Sequence, residues 1–172
     1  MSFNTPYDRF LRRNGVPHCI MTGVTYVQKA CAYITRTTGE LLVFEGPGHD
    51  GLQIPKGTLE SGESPREALF REVLEESGLG TLSGTQHLTT DIWTRREEPP
   101  KRYVRHFFHA TVHEPRDRWT HTVTDGGEEH GAEFEFRWIR PPTGREFALD
   151  LDEYVDLLPT TAGPDPVTSA SD

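Results

Sequence analysis

At 172 residues, with 34% hydrophobic and 26% charged side chains, the chain has the makeup of one soluble domain large enough to enclose a sizeable core. Its 18 basic against 27 acidic residues give a formal charge of −9, which argues against duplex nucleic acid as a partner, because backbone recognition needs a positive surface to displace counterions. No segment approaches membrane-spanning length, and Cys19 and Cys31 lack metal-ligand spacing, so reduced thiols in a cytoplasmic compartment are expected.

Residues 1–21 mix aromatics, arginines and the turn signals Asn14-Gly15 and Val16-Pro17 without a period, and read as an N-terminal arm. No apolar run follows Arg9, Arg12 and Arg13, so no export signal is expected. The runs at residues 25–37 and 40–46 are rich in β-branched and aromatic residues and predict two strands joined by a short turn at Thr38-Gly39. A loop follows at residues 46–51. Pro55 then holds Ile54 extended, and Gly57 lets its backbone approach a ligand closely. Lys56, just before it, could reach a phosphate.

Residues 64–78 predict a helix. Ser64 suits the N-cap, Pro65 the first position and Glu67 the capping box, while Gly78 ends the run. Helical spacing puts Glu72, Glu75 and Glu76 with Ala68 on one side, and Leu69, Phe70, Val73 and Leu74 on another. The expectation is that one face packs and the other presents oxygen. Carboxylates so crowded repel and raise one another's pKa unless a positive charge neutralises them. Hard oxygen ligands at i, i+3 and i+4 suit Mg²⁺, with Mn²⁺ as the alternative, completed by substrate phosphates.

Beyond the helix, residues 81–96 and 101–112 predict two strands enclosing the charged link RREEPPKR. Its Arg95, Arg96, Lys101 and Arg102 are a local positive excess, able to contact phosphate or to pair internally. His106, His109 and His113 are separated by strand alternation and read as ordinary strand histidines. Residues 113–130 form a polar connection, FEFRWIRP a further strand and LDEYVDLLP a short closing helix. The tail, residues 159–172, has no apolar anchor and is expected to be disordered.

From Gly57 the chain reads Gly, five residues, Glu63, seven residues, Arg71-Glu72-Val73, one residue, Glu75-Glu76, one residue, Gly78-Leu79. This resembles the Nudix box, G-x5-E-x7-R-E-U-x-E-E-x-G-U with U aliphatic, at every specified position. Seven named letters at a background of about 7% each would coincide in roughly one chain of this length per million. The resemblance implies an α/β fold, an α/β/α sandwich around a mixed β-sheet, over residues 22–158. It implies hydrolysis of a pyrophosphate bond in a nucleoside diphosphate linked to another moiety.

By position in the box, Glu72, Glu75, Glu76 and the Gly57 carbonyl correspond to metal ligands, with Glu72 also the favoured general base. Glu63 supports the loop or a metal water, and Arg71 orients the neighbouring carboxylates. A further Glu ahead of a late strand often joins such sites. Here Glu129, Glu133 and Glu135 compete for that place, and Glu133 is selected. The run IPKG resembles the LPKG or PPKG of relatives acting on dinucleoside polyphosphates, inositol pyrophosphates or capped RNA ends, which favours a small nucleotide partner such as diadenosine tetraphosphate. Nucleoside triphosphates, ADP-ribose, nucleotide sugars and a non-catalytic nucleotide-sensing module remain open. Many relatives are dimers, so a homodimer is compatible with the resemblance.

Overall fold

The β-branched and aromatic run after residue 24 folds as strand β1 (Thr25–Thr35), and the later strands are placed by reference to it. The computed structural model describes residues 23–48, 50–96, 99–124 and 129–159. The arm expected over residues 1–21, Cys19, and all but the first residue of the expected tail lie outside the described residues. The remaining strands are β2 (Leu41–Glu45), β3 (Lys56–Thr58), β4 (Ser83–Arg95), β5 (Lys101–Thr111), β6 (Arg118–Thr122) and β7 (Glu133–Ile139), with helix α1 at Pro65–Ser77. They form one mixed sheet in the order β4-β5-β1-β2-β7-β6, and β3 also pairs with β1. The pairing of β1 with β5 is parallel, from Thr25 opposite Lys101 to Thr35 opposite Thr111.

Alternation along β1 sends successive side chains to opposite faces, and each face has its own core. Ala30, Ala32 and Ile34 pack with Leu42, Phe44, Phe134 and Phe136 beneath helix α1, which contributes Ala68, Leu69 and Val73. Cys31 and Tyr33 pack on the other face with Leu41, Val43, Phe107 and Leu151. Burial pushes the Cys31 thiol up to about 12, which leaves it an inert core residue. Covered on both sides, the sheet is the middle layer of an α/β fold.

The second cover differs from the closing helix expected over LDEYVDLLP. It consists of 3₁₀ turns at Ala148–Asp150 and Val155–Leu157. Its backbone oxygens serve the sheet instead of an i→i−4 ladder. The Tyr33 hydroxyl donates to the Leu151 carbonyl at 2.7 Å and Arg105 Nη1 to the Leu149 carbonyl at 2.8 Å. Leu149 and Asp150 also sit at positive φ, 57° and 53°, where an α-helix cannot continue.

Strand β6 lies inside the stretch read as a polar connection. Only Trp119 of its five residues is buried, so alternation left almost no trace in the sequence. That one residue stacks on Phe136 at 5.3 Å and donates its indole N–H to the Ser77 carbonyl at 2.9 Å, fixing the end of α1. No helix among the described residues is long and apolar enough to cross a membrane.

Phe44 holds the core under α1 together, stacked on Phe134 at 4.3 Å and tilted against Phe136 at 5.1 Å. Phe44→Ala should lower the unfolding free energy by about 3–5 kcal/mol, measured by urea denaturation. A loss under about 1 kcal/mol would mean that the aromatic cluster closes over the cavity.

Candidate functional site

The helix that carries the carboxylates is fixed at both ends. Ser64 and Glu67 form a reciprocal capping box, with Pro65 in the first turn and Gly78 in the left-handed conformation at φ 76°. Beyond Gly78, β6 and the residues just after it take hold of the last turn: His121 Nε2 lies 3.1 Å from the Glu75 carbonyl, and the Thr124 N–H donates to the same oxygen at 3.2 Å.

Helix α1 does not divide into a packing face and an oxygen face. Its buried residues are Ala68, Leu69, Glu72, Val73, Glu76 and Ser77, whereas Phe70 and Leu74 face solvent. The acidic residues lie at the seam where the helix meets β3, so the packed side also carries the carboxylates. Gly57 makes that seam possible. A Cβ at this position would stand 1.7 Å from Glu72 Cδ, so the Glu72 carboxyl occupies the space that any other residue would fill.

Glu76 lies deepest, at 1% exposure. Its Oε2 accepts the Lys56 backbone N–H at 2.9 Å, while Oε1 is buried with no hydrogen-bond partner. Burial raises its pKa to about 8, against the opposing pull of Lys56. Burial also raises Glu72, an effect that Arg71 opposes.

Arg71 binds the remaining carboxylates. It donates from Nε and Nη2 to the two Glu63 oxygens, each at 2.8 Å, from Nη1 to Glu72 at 2.9 Å and to Glu75 at 3.1 Å, and from Nη2 to the Thr58 carbonyl at 3.0 Å. Glu63 is held below the usual carboxylate range by this contact. The repulsion that suggested a bound cation is thus partly answered from within, by one guanidinium and by burial that raises the Glu76 pKa. Among the described residues, no three acidic, histidine or cysteine side chains already converge as a metal-ligand cluster. What fits a hard divalent ion is the donor set: Glu72, Glu75 and Glu76 within about one turn of the helix, an orphaned buried oxygen on Glu76, and a glycine backbone beside them.

These groups border a cleft of about 750 Å³ whose walls include Gly57, Arg71, Glu72 and Glu75. Of the predicted positive residues, Lys56, Arg95 and Lys101 reach it. Two do not. Arg102 points to the other face of the hairpin, where it donates to the Tyr26 hydroxyl at 2.8 Å, and Arg96 is exposed beyond the end of β4. Strand alternation separates them: Arg95 pairs with Lys101, and Thr94 with Arg102. Lys56 Nζ is itself engaged, donating to Gln53 Oε1 at 2.9 Å.

Glu133 is corrected as well. It is exposed on β7 opposite Thr122, because the alternation that buries Phe134 and Phe136 under α1 turns Glu133 and Glu135 the other way. Glu129 is the member of that trio that lines the cleft, and its charge raises the Glu76 pKa further. His106 and His109 occupy opposite faces. His106 lies 3.0 Å from Thr90 Oγ1 and 2.7 Å from Gln28 Oε1, His109 2.8 Å from Thr35 Oγ1.

Sequence reasoning passed over Lys29 and Arg105, and Trp93 joins them on the cleft wall. Arg105 is 4% exposed at the cleft floor, chelated by both oxygens of Asp91. Trp93 is held by an indole hydrogen bond to Asp150 at 2.8 Å and lies 5.9 Å from the Tyr103 ring. The available signal was parity, since all three face the same side of the sheet as the half-buried end of β1.

Residues 25–155 match the family model of the NUDIX domain. An RNA pyrophosphohydrolase of Psychrobacter sp. (strain PRwf-1) is 36% identical over 86 residues, 50% of this chain and 49% of that protein. One of Marinomonas sp. (strain MWYL1) is 32% identical over 128 residues, 67% of this chain and 78% of that one. The chain spans about half the length of the Psychrobacter relatives. The MutT protein from Methanosarcina mazei Go1 superposes with a TM-score of 0.53 over 78% of this chain and 95% of that one, at 20% identity. A MutT from work on Aliivibrio salmonicida and Vibrio cholerae gives 0.52 over 77% and 96%, at 18% identity. At such identities the likeness is one of fold.

Two outcomes follow from this geometry. Gly57→Ala should cost about 1–3 kcal/mol of unfolding free energy by displacing Glu72, and an unchanged urea midpoint would show that Glu72 vacates freely. Glu76 holds its proton more tightly folded, at about 8, than at its ordinary 4.5, so metal-free stability should fall as pH rises from about 4.5 to about 8. Thermal unfolding across that window should show the fall in wild type and a flatter profile in Glu76→Gln. Parallel profiles would remove the assignment.

Proposed function

The chain belongs to the Nudix family of hydrolases acting on pyrophosphate bonds, and on that premise we propose that it cleaves a nucleoside diphosphate linked to another moiety, using a divalent metal, Mg²⁺ by preference. The observation that carries the reading is the buried acid pair against Gly57, with one Glu76 oxygen unpartnered. A catalytic cation site accounts for that arrangement, whereas packing alone would favour apolar side chains of similar volume. Glu72, Glu75, Glu76 and the Gly57 carbonyl would hold the ion. Bound there, it would supply charge neutralisation of phosphate oxygens and acidification of the attacking water.

The protein's own groups then divide the work. Glu72, beside the cleft and raised by burial, takes the proton from the attacking water as general base. Arg71 fixes the orientation of Glu72 and Glu75, and Glu63 fixes Arg71 through two parallel hydrogen bonds. Arg95 and Lys101 meet the negative charge of the substrate from the opposite wall. Trp93 and Tyr103 offer the surface on which a base can stack. Water adds at one phosphorus, the bridging oxygen leaves with the other, and two phosphorylated products result.

A dinucleoside polyphosphate such as diadenosine tetraphosphate is the substrate favoured by the IPKG run and by a cleft of this size. A second reading is an RNA end, supported by the relatives named RNA pyrophosphohydrolase and opposed by the net charge of −9. A panel of dinucleoside polyphosphates, triphosphorylated RNA, nucleoside triphosphates, ADP-ribose and nucleotide sugars, assayed with Mg²⁺, separates them. Glu76→Gln should lower turnover of the best substrate by orders of magnitude while the far-UV spectrum stays native. Near-normal turnover in that variant would defeat the metal-site assignment, and no turnover of any member by wild type would favour a nucleotide-sensing module.

A further inference from the structure

The cleft has two electrostatic ends. Glu72, Glu75 and Glu129 line one, and Trp93 and Tyr103 with Arg95 and Lys101 line the other. Lys29 stands between them. Strand register places it beside Thr58 of β3 on one flank and Arg105 of β5 on the other, and its side chain forms part of the cleft wall.

The neighbouring cations are already engaged. Arg105 is held by Asp91 and the Leu149 carbonyl, and Lys56 by Gln53. Among the described residues, Lys29 has no hydrogen bond or ion pair, and its ammonium lies 5.9 Å from the Tyr103 ring centroid. Burial depresses its pKa, Lys56 adds to that effect, and Glu72 opposes it. A partly desolvated ammonium that faces Glu72 and Glu129 only across the cleft, with no direct ion pair, is costly to the fold. The cost makes sense where an anion arrives to meet the charge.

We propose that Lys29 is a substrate-binding residue whose ammonium takes the phosphate lying between the carboxylate end of the cleft and the Trp93–Tyr103 pair. The ligand class is a nucleoside diphosphate group, its base towards the aromatic pair and its outer phosphate towards Glu72. This orientation rests on the hydrolase reading for the identity of the carboxylate end. A lysine suits the position because a compact charge with three rotatable donors accepts tetrahedral phosphate oxygens from several directions.

The test uses the full chain and α,β-methylene-ADP, which binds but resists hydrolysis, titrated calorimetrically with Mg²⁺ and again without metal. K29M should weaken binding about tenfold or more, as expected for loss of a charged hydrogen bond, and K29R should recover part of it. The thermal midpoint of K29M should equal or exceed that of wild type, since a desolvated charge is removed. In turnover assays the substitution should raise KM more than it lowers kcat. K29M binding within about twofold of wild type would overturn the proposal, as would failure of wild type to bind the probe at millimolar concentration. Binding that is lost in K29M, with no turnover of any substrate by wild type, would sustain the role of Lys29 while removing hydrolysis.

Discussion

Arg71 carries one positive charge against the carboxylates of Glu63, Glu72 and Glu75, and much of the surrounding geometry follows from that shortage. Its side chain joins the loop before the helix, the helix itself and, through the Thr58 carbonyl, strand β3. The pairing is asymmetric. Glu63 receives two parallel hydrogen bonds, whereas Glu72 and Glu75 share one nitrogen. The cluster therefore keeps an uncompensated negative charge on its cleft side, and that residual charge is what a divalent ion would meet.

Burial completes what Arg71 leaves undone. Glu76 cannot reach the guanidinium, and it tolerates its 1% exposure by accepting a backbone N–H and by holding a proton up to about pH 8. The opposite wall is made differently, from a sheet face whose charges are satisfied by the 148–155 segment. Arg105 joins Asp91 and Leu149, Tyr154 donates to Asp91 at 3.0 Å, and Trp93 is fixed on Asp150. One wall keeps unmet negative charge and the other is largely settled, with Lys29 and Lys101 lacking a hydrogen bond or ion pair among the described residues.

How much of this could be read from the sequence varied with how local its cause was. The capping box, the terminating Gly78 and the box spacing depend on neighbours within a few residues, and the helix they predict is present. Strands β1, β2, β4, β5 and β7 carried enough β-branched and aromatic residues to declare themselves. β6 did not, since one buried tryptophan gives no alternation to detect. The division of α1 into a wet and a dry face failed because burial of Glu72 and Glu76 depends on Gly57 and Lys56, which the helical period does not contain. Arg102 was misplaced for a related reason: charge density along the chain suggested a shared site, and parity on a pleated strand decided otherwise. Glu133 was selected by resemblance, and it lies exposed at the start of β7, opposite Thr122 of β6. Glu129 and Lys29 are brought to the cleft by the fold's long-range pairings, which no short window reveals.

The central strand pair has a consequence for how the molecule comes into being. β1 and β5 run parallel in direct contact, with the first hairpin, the helix and all of β4 lying between them along the chain. Such distant pairing carries a heavy loop-closure cost before any contact rewards it. Helix α1, at 13 residues, is too short to persist alone in water. A peptide bearing the whole contiguous motif would thus be an ordinary acidic coil, because the motif's geometry depends on strands far from it in the sequence.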